Sequence, residues 1–342
     1  MTRIAARIVA RAPLRYTEGA DAALDRPAHV RAGSGLCVVE TPRGRRLLVA
    51  QDDAAFFALV DVRPPPRVSS IALPAPDGVR LFDERRGNKQ DKLDLECVAV
   101  FAGSGDGDGD GPLVIALGSG SSPKRERAVL ARVDREPAEV RVVDAHALHA
   151  HLRAHPLMQG AELNLEGMGR LRRDEGDTRG DTAGDTVRLF QRGNGAGGVD
   201  ATFDVDARAL LAFLAAPDAT RGPPPPIVDA RRWDLGRVQG VRLTFTDACA
   251  VRGPDGGAHV AVTVAAEDSP NAVDDGVVVG CALGLLGEPL APIVDEAGAP
   301  FVGKPEGLAF DPDDPTRAWI VLDKDDPDVP CELLTLAVAW TA

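Results

Sequence analysis

The amino-acid sequence predicts an all-β protein: a β-propeller with five blades, each a four-stranded antiparallel sheet. Three observations indicate this fold. A short motif recurs five times, the same order of strand and turn signals follows each motif, and a spare strand signal lies near the N-terminus. The 342 residues include 36 Gly and 27 Pro, a composition that favours many turns and short strands. Six blades and a two-domain α+β protein are the alternatives.

The recurring motif is a small polar or acidic residue, a small residue and then an apolar run of strand-forming residues. It occurs as Ser34-Gly35-Leu36, Glu96-Cys97-Val98, Glu166-Gly167-Met168, Gln239-Gly240-Val241 and Glu306-Gly307-Leu308. The middle positions, 35, 97, 167, 240 and 307, are between 62 (97 − 35) and 73 (240 − 167) residues apart. Such regular spacing over the whole chain indicates one repeated unit.

Each motif is followed by a turn-rich segment, a second strand, a polar loop and a third strand, and most units show a fourth. This order describes an antiparallel meander, whose open edges are protected when the blades close into a ring. The last unit ends after its third strand, and residues 3–12 (RIAARIVARA) could supply the missing one. We therefore expect a single domain over residues 1–342. Its blades lie near 33–90, 91–160, 161–235, 236–300, and 301–342 plus 3–16.

Two segments, 144–157 and 206–218, have apolar residues at helical spacing and are expected to decorate blades two and three. The first contains His146, His149, His151 and His155, and we expect this helix to face solvent. The loop GDGDGDG at 105–111 lacks the Glu that an EF-hand needs at its twelfth position. That loop and GDTRGDTAGDT at 176–186 are therefore interpreted as hairpin tips.

Composition excludes several classes of function. The formal net charge of −13 makes nucleic acid and anionic membranes poor partners, because phosphate groups would repel the chain. The five cysteines are dispersed without a CxxC pair, which argues against a disulfide framework or a zinc site. The first sixteen residues contain no apolar core of a signal peptide, so cytoplasmic residence is expected.

A candidate site follows from propeller topology. The loops that enter each inner strand and the loops that join the second strand to the third emerge on the same face. The polar residues of these loops are the predicted ligand-binding set: Lys92, Glu96, Lys124, Arg125, Glu166, Arg192, Gln239, Lys304, Glu306 and Asp323. We expect them to bind a small molecule or a metal ion at the mouth of the central channel.

Three glutamates, Glu96, Glu166 and Glu306, occupy the same repeat position and should converge on that mouth. Converging carboxylates repel each other, so their charge needs compensation. A hard cation such as calcium could lie among their oxygens, or neighbouring Lys and Arg side chains could pair with them. In the structural alternative, each Glu accepts backbone N–H groups of a neighbouring blade.

Several longer motifs resemble bacterial propellers. They are K-x-D-L-E at Lys92–Glu96, G-S-G-S-S-P-K-R at 118–125, N-L-E-G at Asn164–Gly167, Q-R-G-N at 191–194, and K-P-E-G-L-A-F-D-P from Lys304 with W-I-V-L-D from Trp319. The sequence is most similar to a bacterial family of unknown function, which is related to the phytase-like (esterase-like) and SdiA-regulated propellers. This resemblance implies a propeller that could hold a central calcium ion. Ser34 and Gln239 depart from the Glu-Gly pattern of that group.

Three functions fit these observations. The first is a propeller with a polar small-ligand or metal site at the channel mouth. The second is a metal-dependent phosphoester or ester hydrolase, in which a metal-bound water attacks the substrate. The third is a protein-interaction scaffold, which would require an exposed apolar patch.

Overall fold

In the part of the chain that the structure describes, twenty-one strands build five antiparallel sheets. The structure, a computed structural model, describes residues 2–75, 77–101, 111–171, 185–195, 197–269 and 276–341. The strands of the first half are β1 (Arg3–Pro13), β2 (Gly33–Thr41), β3 (Gly44–Gln51), β4 (Phe56–Asp61), β5 (Arg67–Ala72), β6 (Leu95–Phe101), β7 (Leu113–Gly118), β8 (Arg127–Arg132), β9 (Glu139–Asp144), β10 (Leu165–Leu171) and β11 (Thr186–Gln191). Those of the second half are β12 (Ala201–Asp206), β13 (Ile227–Arg232), β14 (Arg237–Val238), β15 (Val241–Arg252), β16 (Ala258–Asp268), β17 (Val277–Leu285), β18 (Ala291–Pro292), β19 (Pro305–Asp311), β20 (Asp314–Leu322) and β21 (Glu332–Thr341).

The sheets are the blades of a five-bladed propeller, as predicted. Their strand orders are β2-β3-β4-β5, β6-β7-β8-β9, β10-β11-β12-β13, β14-β15-β16-β17-β18 and β19-β20-β21-β1. The innermost long strands contact one another in the order β2, β6, β10, β15, β19 and back to β2, which closes the ring. Blade 4 differs from the others because a two-residue strand flanks each edge of its three long strands.

Strand β1 completes the last blade, which confirms the predicted closure. It pairs antiparallel with β21, from Arg3 opposite Thr341 to Pro13 opposite Glu332. Its buried residues alternate with exposed ones near the start, because an outer strand buries only the face that packs on the next blade. The ring is therefore held shut by backbone hydrogen bonds between the two ends of the chain.

The hydrophobic core consists of layers between neighbouring blades. One apolar cluster joins blades 1 and 2, and others join blades 2 and 3, 3 and 4, 4 and 5, and 5 and 1. The cluster between blades 2 and 3 also takes in side chains of both α-helices. Since each blade packs on two neighbours, burial of apolar surface stabilises the ring as a unit.

The glycine of the recurring motif lies where neighbouring inner strands approach most closely. A Cβ atom at Gly167 would lie 2.9 Å from the backbone nitrogen of Ala248 in blade 4. A Cβ atom at Gly307 would lie 2.9 Å from the Cβ of Leu36 in blade 1. The second motif position is therefore small in these units because the next blade fills the space beside it.

The two helices are shorter than predicted. Helix α1 (His146–Arg153) connects blades 2 and 3, and helix α2 (Ala207–Ala215) lies between β12 and β13. The side chain of Asp206 caps α2 by accepting a 2.8 Å hydrogen bond from the Ala209 N–H. Short 3-10 turns lie at Ala22–Leu24, Lys89–Asp91, Pro123–Arg125, Pro156–Met158 and Asp218–Thr220. Pro156 and Pro217 lie just beyond the two helices, where a proline cannot extend them.

The expectation that the histidine-rich helix faces solvent is wrong for His149. Its ring is fully buried, and its two nitrogens lie 3.0 Å from the carbonyl oxygens of Ala145 and Gly118. Four of the five cysteines are buried and the fifth is half-buried, all with free thiols. Residues 105–110 and 176–184 of the two predicted hairpin tips lie outside the described residues. Within the described ranges, no helix is long and apolar enough to span a membrane.

Candidate functional site

A β-bulge interrupts the pairing of every inner strand with the next strand of its blade. The pairing register shifts between Gly33 and Gly35, Leu95 and Cys97, Leu165 and Gly167, Phe245 and Asp247, and Pro305 and Gly307. The residues inside these bulges are Ser34, Glu96, Glu166, Thr246 and Glu306, and all five are buried. A bulge re-aims the side chain of its extra residue. Three of the five bulge residues therefore bring carboxylates together at one end of the channel.

The predicted position of the fourth repeat is wrong. The residue equivalent to the three glutamates is Thr246, whereas Gln239 lies with Gly240 in the exposed turn between β14 and β15. Both turn residues have positive φ, 50° and 85°, as a tight hairpin turn requires. The inner strand of blade 4 is twelve residues long, so it begins well before its bulge. Gln239 therefore does not reach the channel mouth.

The channel mouth is a cavity of about 60 Å³ with an entirely polar set of lining residues. These residues are Ser34, Asp52, Lys92, Asp94, Glu96, Arg125, Asn164, Glu166, Arg192, Asn194, Lys304, Glu306 and Asp323. The lining includes eight of the ten predicted ligand-binding residues. The two others are Gln239 and Lys124, whose exposed ammonium pairs with Asp91 away from the cavity.

The three glutamates do converge. One carboxylate oxygen from each of Glu96, Glu166 and Glu306 lies within 4.8 Å of the others. Neither carboxylate oxygen of Glu306 has a hydrogen-bond partner, although the residue is only 3 % exposed. Burial raises the pKa of Glu96 and of Glu306 well above the usual range, and repulsion from Glu166 raises both further. Glu306 therefore interacts with neighbouring cations only at ion-pair distances, 3.5 Å from Lys304 Nζ and 3.8 Å from Arg192 Nη1, among the described residues.

Arg192 is the main cation beside these glutamates. Its Nη1 atom lies 3.3 Å from Glu166 Oε1 and 3.8 Å from Glu306 Oε1, while its Nη2 atom pairs with Glu267. Burial opposes its charge, but the three carboxylates outweigh burial and raise the pKa of Arg192. Asn164 adds a 2.6 Å hydrogen bond from Nδ2 to Glu166 Oε1. Glu166 is therefore the best compensated of the three glutamates.

A second charged cluster lies on the blade 1 and blade 2 side of the mouth. Lys92 Nζ lies 2.6 Å from Asp52 Oδ2 and 2.6 Å from Asp94 Oδ1. Asp94 also accepts a hydrogen bond from Ser119 and pairs with Arg125 at 3.2 Å. Although burial opposes ionisation, Lys92 and Arg125 lower the pKa of Asp94. Asp94 has a positive φ of 55°, an uncommon conformation for a residue other than glycine.

Lys304 provides positive charge on the blade 5 side. Its Nζ lies 3.5 Å from Glu306 Oε1, 3.8 Å from Asp323 Oδ2 and 3.5 Å from Asp325 Oδ1. Burial dominates at Asp323 and raises its pKa to about 6, while Lys304 acts in the opposite direction. These distances are too long for strong hydrogen bonds, so Lys304 acts on the glutamates mainly through its charge.

Carboxylates outnumber cations in the lining. Six acidic residues face four basic ones, which gives a net charge of 4 − 6 = −2 if all are ionised. The raised pKa values of Glu96 and Glu306 mean that protons balance part of this excess in the absence of another cation.

The predicted ligand-binding set omitted Ser34, Asp52, Asp94, Asn164 and Asn194, yet all five line the cavity. Of these, Asp52, Asn164 and Asn194 lie in the loops from which that set was drawn. Asp94 and Asn164 each lie two residues before a bulge residue, the position that the predicted Lys304 occupies in blade 5, so an alignment on the bulges would have added them to the set. Asp247 was also missed. Its buried carboxylate accepts hydrogen bonds from the Ala248 N–H at 2.7 Å and from the Leu308 N–H of blade 5 at 2.6 Å.

Comparison with known proteins identifies a family of unknown function, in agreement with the resemblance that the sequence motifs indicated. The sequence model of the protein family described as "Family of unknown function (DUF6929)" matches residues 29–338. The chain belongs to this family. No curated protein matches the sequence.

Several solved structures are similar at low identity. One is a thermostable family-43 glycoside hydrolase, with 10 % identity, 95 % of this chain and 91 % of that chain covered, and a TM-score of 0.38. Another is the β-propeller domain of Myceliophteria thermophila Cps50 (Swd1), with 13 % identity, 89 % and 82 % coverage and a TM-score of 0.33. A third is the calcium structure of a Trichoderma reesei carbohydrate-active enzyme of family AA12, with 13 % identity, 90 % and 94 % coverage and a TM-score of 0.32.

Proposed function

We propose that the channel mouth binds a divalent cation of the calcium class, with Glu96, Glu166 and Glu306 as its protein ligands. The observation that carries this proposal is Glu306, a buried carboxylate whose two oxygens have no hydrogen-bond partner. Leaving a buried carboxylate without hydrogen bonds is costly, and the ion pairs from Lys304 and Arg192, at 3.5 and 3.8 Å, are long, so a site of this kind favours a further positively charged ligand.

The oxygen spacing supports calcium. Calcium binds oxygen ligands at about 2.3–2.6 Å, so two oxygens on opposite sides of the ion are about 5 Å apart. The three carboxylate oxygens lie within 4.8 Å of one another, which is compatible with one shared ion. A cavity of about 60 Å³ also leaves room for one or two waters to complete the coordination.

Calcium titration of chelator-treated protein tests this proposal. Isothermal calorimetry should give one bound ion per chain, and calcium should raise the melting temperature. Glu166→Gln and Glu306→Gln should each remove most of the binding, because each variant loses one negative ligand. Glu40→Gln, which changes an exposed glutamate paired with Arg45, is the matched control and should bind as the wild type does. A wild type without a calcium response, or a response that persists in both mouth variants, would refute the proposal.

Hydrolysis of an anionic phosphoester or ester is the second candidate. It is favoured by Lys92, Arg125, Arg192 and Lys304, four cationic side chains that surround the carboxylates and could hold an anionic group. Turnover of p-nitrophenyl phosphate or p-nitrophenyl acetate with added calcium should then depend on Arg192. If neither substrate is hydrolysed, either with calcium or with manganese in its place, only the binding function remains.

A further inference from the structure

Two carboxylate clusters lie side by side at the channel mouth and share Glu96. The first contains Glu96, Glu166 and Glu306. The second contains Asp52, Asp94 and Glu96, and again one oxygen from each lies within 4.8 Å of the others. Both clusters therefore have the oxygen spacing of a divalent-ion site.

The second cluster differs from the first because a lysine of the chain bridges two of its carboxylates at short distances. Lys92 Nζ is 2.6 Å from Asp52 Oδ2 and 2.6 Å from Asp94 Oδ1. By contrast, the nearest cationic atoms to Glu306 in the first cluster are 3.5 and 3.8 Å away. The lysine ammonium is a compact point charge with three donors, so it can fill the position of a small cation among oxygens.

We propose that Lys92 is a tethered cation that fills the second of two adjacent cation sites. The channel mouth therefore takes one divalent ion rather than two, and Lys92 sets this stoichiometry. For the occupancy of the first cluster, this inference rests on the function proposed above.

The contacts around Lys92 fit such a role. The side chain of Lys92 is 8 % exposed, so its charge is directed to the carboxylates rather than to water. One oxygen of Asp52 is buried without a hydrogen-bond partner, which leaves a ligand atom available to an ion that replaced the ammonium. Two divalent ions that share a carboxylate lie about 3.5–4 Å apart and need many anionic ligands to offset their repulsion. A single positive charge on Lys92 reduces that repulsion.

The test counts calcium ions in the full chain by calorimetry and by equilibrium dialysis with CaCl₂. Lys92→Met keeps most of the side-chain volume but removes the ammonium, and we expect one more bound calcium than in the wild type. Lys324→Met is the matched control, because it removes the same charge from a lysine that pairs with Glu332 at 2.5 Å and does not line the cavity. Its stoichiometry should stay at the wild-type value. The double variant Lys92→Met with Asp52→Asn should lose the additional ion.

Each outcome separates this inference from the proposed function. One ion in the wild type and one in Lys92→Met would overturn the inference alone. No ion in the wild type and one in Lys92→Met would uphold the tethered cation and refute the proposed function. No ion in either protein would refute both. If Lys92→Met is unfolded without calcium, millimolar calcium should restore its folding, and the same should hold for Lys92→Gln. Failure of calcium to restore either variant would overturn the inference.

Discussion

The glycine of the third motif offers the sharpest test of how the blades meet. In Gly167→Ala the new Cβ atom would lie 2.9 Å from Ala248 N, 3.1 Å from Asp247 C and 3.2 Å from Asp247 Cα. All three are backbone atoms of blade 4, so no side chain can move aside. Relief requires blade 3 and blade 4 to separate locally. Overpacking of this kind costs about 1–3 kcal/mol.

Gly169 lies two residues further along the same strand and provides the matched control. Its added Cβ would have only ordinary contacts, at 3.9 Å from Ala250 N and from Phe190 Cε2. Gly169→Ala should therefore be neutral or should stabilise the protein by about 0.4–1 kcal/mol, because alanine restricts the unfolded chain. Urea unfolding followed by tryptophan fluorescence measures both variants. Equal stabilities of the two variants, or a Gly167→Ala protein as stable as the wild type, would refute the packing argument.

Two further predictions concern closure and a buried carboxyl. Ile8→Ala should lower the free energy of unfolding in urea by about 2–5 kcal/mol, because this fully buried side chain of β1 packs between blades 4 and 5. Val9→Ala, at an exposed position of the same strand, should change it by less than about 0.5 kcal/mol. Similar values for the two variants would contradict closure by β1. Burial raises the pKa of Asp247 well above its unfolded value of 3.8. Above about pH 4 the carboxyl group therefore keeps a proton in the folded protein that it has lost in the unfolded chain. The stability contributed by this group falls as the pH rises above that value. The stability difference between the wild type and Asp247→Asn should therefore shrink from pH 4 to pH 8 in urea titrations, and a difference independent of pH would contradict the raised pKa.

The ring could be predicted because its signals are local and repeated. Every unit contains the same order of strand and turn residues, and backbone pairing within a blade joins strands that are neighbours in sequence. Closure was also visible, since the last unit lacks a strand and residues 3–12 alternate in character. The positions of the two helices could be predicted from the sequence, but the burial of their side chains could not. His149, for example, is buried because blades 2 and 3 pack around it.

The fourth repeat could not be aligned correctly from the sequence. In the other units the motif and the bulge coincide, but in blade 4 the Gln239-Gly240 pair forms a hairpin turn and the bulge falls at Thr246-Asp247. Only strand pairing identifies the bulge, and pairing is a property of two strands together. Asp52 and Asp94 were missed for a related reason. Their contribution depends on which oxygens reach the cavity, and the one-dimensional motif does not contain that information.

The structure also bears on why glutamates occupy the bulges. The bulge itself does not require a carboxylate, since Ser34 and Thr246 occupy the same position in two of the five units. Nor do the described residues include a backbone N–H that donates to Glu96, Glu166 or Glu306, as the structural alternative would need.

In blade 4 that capping role belongs to Asp247, whose carboxylate accepts the Leu308 N–H of the next blade. Asp247 occupies the second motif position, which is glycine in three units, and its neighbour Thr246 carries no charge. Inter-blade capping and the carboxylate cluster are thus assigned to different residues. A role in holding the blades together therefore does not account for the three glutamates, and their convergence around Glu306, whose oxygens have no hydrogen-bond partner, is the observation on which the proposed cation site rests.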